Sequence, residues 1–173
     1  FGKNKQAIEN WEKYLELNNN LESRYRYVNA LYGGKQWCEM IPQLDILTAG
    51  NMNNFFIQRF YAFAYNDCTK DSLALDKALS ASDRFFEMVP KDKINYQDYK
   101  LRGTIYQKKG QDSLAIIAFE QAAAINDAAY KELANDLLKL YNKNKMYEKV
   151  ISAYDVRRQK NGKLLGRVKV GSM

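Results

Sequence analysis

Histidine is absent from the 173 residues. The chain therefore lacks the commonest general base and the commonest metal ligand. Proline occurs twice and glycine nine times, so little interrupts long helices. Cysteine occurs only as Cys38 and Cys68, in separate segments with no C-x-x-C spacing. That spacing argues against a zinc site. The two read as small buried hydrophobes, with a disulfide as the open alternative. No apolar run nears the roughly 20 residues of a membrane-crossing helix, and no signal peptide is visible.

Acidic residues are missing from the end of the chain. Asp155 is the last, and Arg157, Arg158, Lys160, Lys163, Arg167 and Lys169 follow it. Those six account for nearly all of the net charge of +7. A nucleic-acid binder spreads its basicity as a stripe over the folded surface. Here it sits in one terminal segment, which argues against nucleic acid and leaves only the tail for an anionic membrane or polyanion.

What is present is helical pattern. Hydrophobic residues make up 46% of the chain, enough for a sizeable core. In residues 112–125, Leu114, Ala115, Ala118, Phe119 and Ala122 fall on one helical face. No segment alternates as a half-buried strand would. Turn signals at Asn18–Asn20, Gly33-Gly34, Asn66-Asp67, Pro90–Asp92, Gly110 and Asn142–Asn144 divide the chain into short helices. Hairpins in series suggest a solenoid.

The hairpins repeat. Tyr96–Ala129 places Tyr99, Gly103 and Tyr106 in a first helix and Ala115, Phe119 and Ala122 in a second. This resembles the tetratricopeptide repeat, with its aromatic, small and tyrosine residues followed by small, aromatic and alanine. Asp127 stands where the pattern usually has proline. Corresponding residues of the second helices are Ala7, Met40, Ala78, Ala115 and Val150, close to the family period of about 34 residues. The resemblance divides the chain into a half unit 1–20 and units 21–53, 54–95, 96–130 and 131–160. Residues 161–173 remain as a basic tail or the start of a further repeat. The third unit fits with an insertion within Asn66–Ser72. In the second unit Pro42 is placed in the first turn of its helix, where proline is tolerated. Val28 and Met40 replace the usual small pair there and predict a splayed hairpin. Because the opening unit lacks its first helix, Phe1 is expected to mark a cut in a longer array. The Asn-, Lys- and Tyr-rich composition suggests a bacterial source, in the cytoplasm or the cell envelope.

The resemblance implies an all-α, right-handed superhelix whose first helices line a concave groove. Carried over, its groove positions are Tyr25, Asn29 and Tyr32, then Arg59, Phe63 and Asn66, then Lys100, Thr104 and Gln107, then Asn135, Lys139 and Asn142. The asparagines can donate to and accept from a peptide backbone. Arg59, Lys100 and Lys139 form a row of cations, and Tyr25, Tyr32 and Phe63 supply rigid apolar area. An extended, acidic peptide is the expected ligand, with a merely solvated groove as the alternative. Phe55, Phe56, Phe60 and Phe63 form a second candidate patch, part of which is expected to pack inward.

Chemistry is not indicated. GKLLGRVKVG departs from the phosphate-loop pattern and follows no strand, and no serine or cysteine has a histidine to activate it. The expectation is a non-enzymatic scaffold or adaptor for a protein or peptide partner, without cofactor, metal or small-molecule substrate. A rival expectation is a structural module that oligomerises through its ends or convex face.

Overall fold

The computed structural model describes residues 2–68 and 72–153. The basic tail 161–173, and the last unit beyond residue 153, lie outside the described residues. So do residues 69–71 of the expected insertion. Among the described residues every regular element is helical. They are α1 (Gly2–Leu17), α2 (Leu21–Gly34), α3 (Trp37–Ala49), α4 (Phe55–Cys68), α5 (Ser72–Met88), α6 (Tyr96–Lys108), α7 (Asp112–Ile125) and α8 (Asp127–Lys143). A 3-10 turn, Lys91–Lys93, precedes α6, and residues 147–153 are helical again.

Asparagines start the first helices. The side-chain oxygens of Asn20, Asn54, Asn95 and Asn126 accept from backbone N–H groups in the first turns of α2, α4, α6 and α8, at 2.8–3.2 Å. Each satisfies a donor that the helix itself leaves orphaned. At α6 the Asp98 carboxylate also accepts from the Asn95 N–H, completing a capping box. By contrast α3 and α7 begin after Gln36 and Gln111 with no side-chain cap. Positive φ at Lys35, Asn51, Gly110 and Lys145 lets the next residue's N–H reach back to Leu31, Leu47, Tyr106 and Tyr141. Those bonds close the C-termini of α2, α3, α6 and α8.

Each helix packs on its neighbours in sequence, and α4 also meets α6. This is the arrangement of an all-α helical-repeat solenoid. Met40, Ala78 and Ala115 are fully buried, as befits corresponding residues of successive second helices. Gly103 explains how tightly α6 and α7 cross: a Cβ there would lie 2.6 Å from the Phe119 ring. Gly34 does the same at α1, where a Cβ would meet Ile8 at 2.6 Å. Phe119 and the half-buried Tyr106 join Leu133, Leu137 and Leu140 in one cluster, which fastens the α6–α7 hairpin to α8.

Three expectations need correction. The boundary set between residues 130 and 131 falls inside α8, because Asn126 caps that helix and starts it at Asp127. Pro42 is not in the first turn: α3 begins at Trp37, so Pro42 lies inside the helix. Without an N–H it leaves the Cys38 carbonyl without its intrahelical donor. The cysteines are not isolated hydrophobes. Cys38, at the exposed start of α3, and Cys68, at the end of α4, form a disulfide with Cα atoms 4.8 Å apart.

Candidate binding groove

The first helices α2, α4 and α6 bring part of the expected groove together. Tyr32 ends α2 and its ring meets Phe63 of α4 edge-on, with centroids 5.3 Å apart. Trp37, from the first turn of α3, stacks on Phe63 at 5.6 Å and 18° and meets Tyr32 edge-on at 5.7 Å. These three half-buried rings form one side of a cleft of about 510 Å³. Gln97, Lys100, Leu101 and Thr104 of α6 line it as well, with Lys35 and Asp67 beside the rings.

Asn66 lines the same cleft and is 5% exposed. Its Nδ2 donates to the Asp67 carboxylate at 2.8 Å. That carboxylate only accepts, so the amide orientation is fixed. The backbone carbonyl of Asn66 accepts from Lys108 Nζ at 2.6 Å. The Asn66 Oδ1 is buried with no hydrogen-bond partner among the described residues, a costly condition for an amide oxygen. Burial also pushes the Tyr32 phenol above its ordinary value of 10.0, so it stays a neutral donor.

The cations of the groove already hold carboxylates. Arg59 forks onto Asp98 with bonds of 2.7 and 2.8 Å and donates to the Lys93 carbonyl at 3.0 Å. It lies over the Phe85 ring at 4.7 Å and the Phe56 ring at 5.6 Å. Burial pushes the Asp98 carboxyl above 3.8, opposed by the Arg59 fork and the Asn95 N–H. Lys100 bridges to Glu132 of α8 and holds that carboxyl below its ordinary 4.5. Lys139 faces Asp136 at 3.7 Å on an exposed surface. Lys35 makes no ion pair among the described residues.

The remaining groove candidates lie elsewhere. Tyr25 packs toward Phe60, and the exposed Asn29 donates to the Tyr25 carbonyl at 2.8 Å. Gln107 is exposed on α6. Asn135, Lys139 and Asn142 are exposed along α8, away from the cleft lining. Of the phenylalanine patch, Phe60 is core, whereas Phe56 is 36% exposed beneath the Arg59 guanidinium. Among the described residues no cluster of three His, Cys, Asp or Glu could hold a metal, and no helix is long and apolar enough to cross a membrane.

No protein-family model matches the sequence, and no curated protein matches it. Solved structures do match. Two structures of MamA are similar: one at TM-score 0.70 and 16% identity over 94% of this chain and 85% of its own. The other has TM-score 0.71 and 15% identity over 95% and 92%. A thermophilic TPR protein of Thermus thermophilus aligns at TM-score 0.61 and 20% identity, covering 99% of this chain and 90% of its own. The chain has the tetratricopeptide-repeat fold.

Within a tetratricopeptide fold the inner face comes from first helices, which is why sequence spacing alone selects Tyr32, Phe63, Asn66, Lys100 and Thr104. It does not select Trp37, which belongs to a second helix. The sequence signal for Trp37 is its place just after Gly33-Gly34, which end α2, so that the turn at Lys35 and Gln36 leads the start of α3 back toward α4. Lys35 and Asp67 escape the pattern for a related reason: both sit at helix ends, where the repeat specifies nothing.

Proposed function

We propose that the chain is a non-enzymatic interaction scaffold that holds an extended peptide segment of a protein partner in the groove of α2, α4 and α6. The tetratricopeptide fold supports a protein-interaction role in general. The single observation behind the finer reading is the cleft itself: three rigid rings facing the polar side chains of Gln97, Lys100 and Thr104. A peptide supplies both complements, an apolar side chain for the rings and backbone groups for the polar side chains. Charge contributes less than the sequence suggests, because Arg59 and Lys100 are already matched by Asp98 and Glu132. An acidic group on the peptide would meet Lys35, and it would compete with Glu132 for Lys100.

Filling the cleft tests this reading. Thr104→Trp places an indole in the cleft from a half-buried position on α6. Partners captured from host extract by the native chain should be lost by Thr104→Trp and kept by Ile117→Trp. Ile117 is 52% exposed on α7 and away from the cleft. Identical capture by all three chains overturns the groove reading.

A second reading is assembly through another face. Leu114 and Ile117, one turn apart on α7, are 43% and 52% exposed. Such a pair suits a small apolar contact with another copy. Mass that rises with concentration, and falls in Ile117→Lys, would favour this reading; a constant monomer mass removes it.

A further inference from the structure

The disulfide joins the two elements that carry the stacked rings. Trp37 precedes Cys38 in the first turn of α3, and Phe63 lies five residues before Cys68 on α4. That first turn is poorly held by its own backbone. Gln36 supplies no side-chain cap, and Pro42 cannot donate to the Cys38 carbonyl. The turn is therefore fastened by side chains, with Trp37 against Phe63 and Tyr32 and with Met40 in the core, and by the covalent bridge to α4. The end of α4 that receives the bridge also carries Asn66 and Asp67, the polar part of the cleft.

We propose that the Cys38–Cys68 bridge is a redox lock on the cleft. Oxidised, it holds Trp37 against Phe63 and keeps the binding shape; reduced, it frees the first turn of α3 and opens the aromatic side. This rests on the reading of the cleft as the peptide site. The chemistry is thiol–disulfide exchange with an external dithiol. A thiolate of the reductant attacks Sγ of Cys38, which is exposed, whereas Cys68 is half-buried. The S–S bond breaks and Cys68 leaves as thiolate, taking up a proton. The second thiol of the reductant then attacks the mixed disulfide and releases Cys38. Two electrons and two protons reach the protein, and the reductant becomes a cyclic disulfide. The binding form consequently belongs to an oxidising compartment, where such bridges persist.

Trp37 reports the lock without any ligand. The chain has two tryptophans, so Trp11→Phe leaves Trp37 as the sole tryptophan, excited selectively over the tyrosines. Reduction with dithiothreitol should shift its emission to the red and raise its acrylamide quenching constant roughly twofold, with helical circular dichroism preserved. Amide exchange at Ile41 and Gln43, whose acceptors Trp37 and Glu39 lie in that turn, should accelerate roughly tenfold. Cys68→Ser should reproduce the reduced state without reductant. Adding Pro42→Ala restores a donor to the Cys38 carbonyl and should damp the response. Unchanged emission and exchange on reduction overturn the lock, and so does collapse of the whole helical signal, which would make the bridge a global staple. A partner captured through the cleft should be released by dithiothreitol. If Trp37 responds but that partner stays bound, the link to binding is overturned while the groove reading stands. If Trp37 responds and Thr104→Trp captures every partner, the groove reading falls, and the proposal with it.

Discussion

Repeat spacing marks Arg59 as a ligand-binding cation, yet its surroundings assign it a structural task. Its side chain is 12% exposed and that of Asp98 is 2% exposed. Removing one member of such a pair strands the other charge, at a cost of about 3–5 kcal/mol. Arg59→Met should therefore lower the urea midpoint sharply, and the double variant Arg59→Met/Asp98→Asn should recover part of the loss. A midpoint unchanged by Arg59→Met would mean the pair is not held in solution. The same scale explains Gly103. Alanine is better than glycine inside a helix by about 1 kcal/mol, but here its Cβ would strike the Phe119 ring. Overpacking of this kind costs about 1–3 kcal/mol, and Phe119 is 3% exposed with little room to retreat. Gly103→Ala should thus destabilise by urea titration, against its helix propensity. Gly103 is legible because the repeat pattern specifies a small residue at a close crossing. The Arg59–Asp98 pair is not, because a repeat pattern carries no information on which charges meet across 39 residues of sequence.

Helices are legible from apolar periodicity, and their starts are written in asparagine. The sequence is rich in this residue, and its frequency at groove positions suggests backbone-binding side chains. The structure gives another use to Asn20, Asn54, Asn95 and Asn126, which cap the four first helices. The cap at Asn126 is hidden in the sequence because the repeat period points to a boundary four residues later. Replacing such a cap by alanine costs about 1 kcal/mol, and by glycine only a few tenths. Asn126→Ala should lower the stability of α8, seen as faster amide exchange in its first turn, while Asn126→Gly leaves it nearly unchanged. Equal effects of the two substitutions would show that the side-chain bond to Ala129 is not the source. At α3 the opposite holds: no side chain caps it, a proline interrupts it, and a disulfide compensates. That bridge is out of reach of the sequence because the partners belong to different repeats, 30 residues apart.

In a solenoid each helix leans only on helices of its own and adjoining repeats, so local charge pairs can decide how an end of the molecule is fastened. Two ion pairs tie α8 to the rest. Asp112 at the start of α7 accepts from Lys143 at 2.6 Å, and Glu132 pairs with Lys100 of α6. The lysine beside each carboxylate lowers its pKa, below 3.8 for Asp112 and below 4.5 for Glu132. A depressed folded value means the stabilisation is complete above the unfolded value. It is lost as pH falls through the folded one, because the unfolded chain takes up the proton first. Acid below about 4 should therefore loosen α8 before it touches α2 and α3, where the described ion pair, Glu22 with Arg26, stays within one helix. Exchange protection measured residue by residue at pH 3 and pH 6 checks this, after correction for intrinsic rates. Protection in α8 should fall relative to α2. The double variant Lys100→Gln/Lys143→Gln should begin with the lower protection and show little further loss in acid. If α2 and α8 lose protection together, the molecule unfolds as one unit, and nearest-neighbour fastening does not describe it.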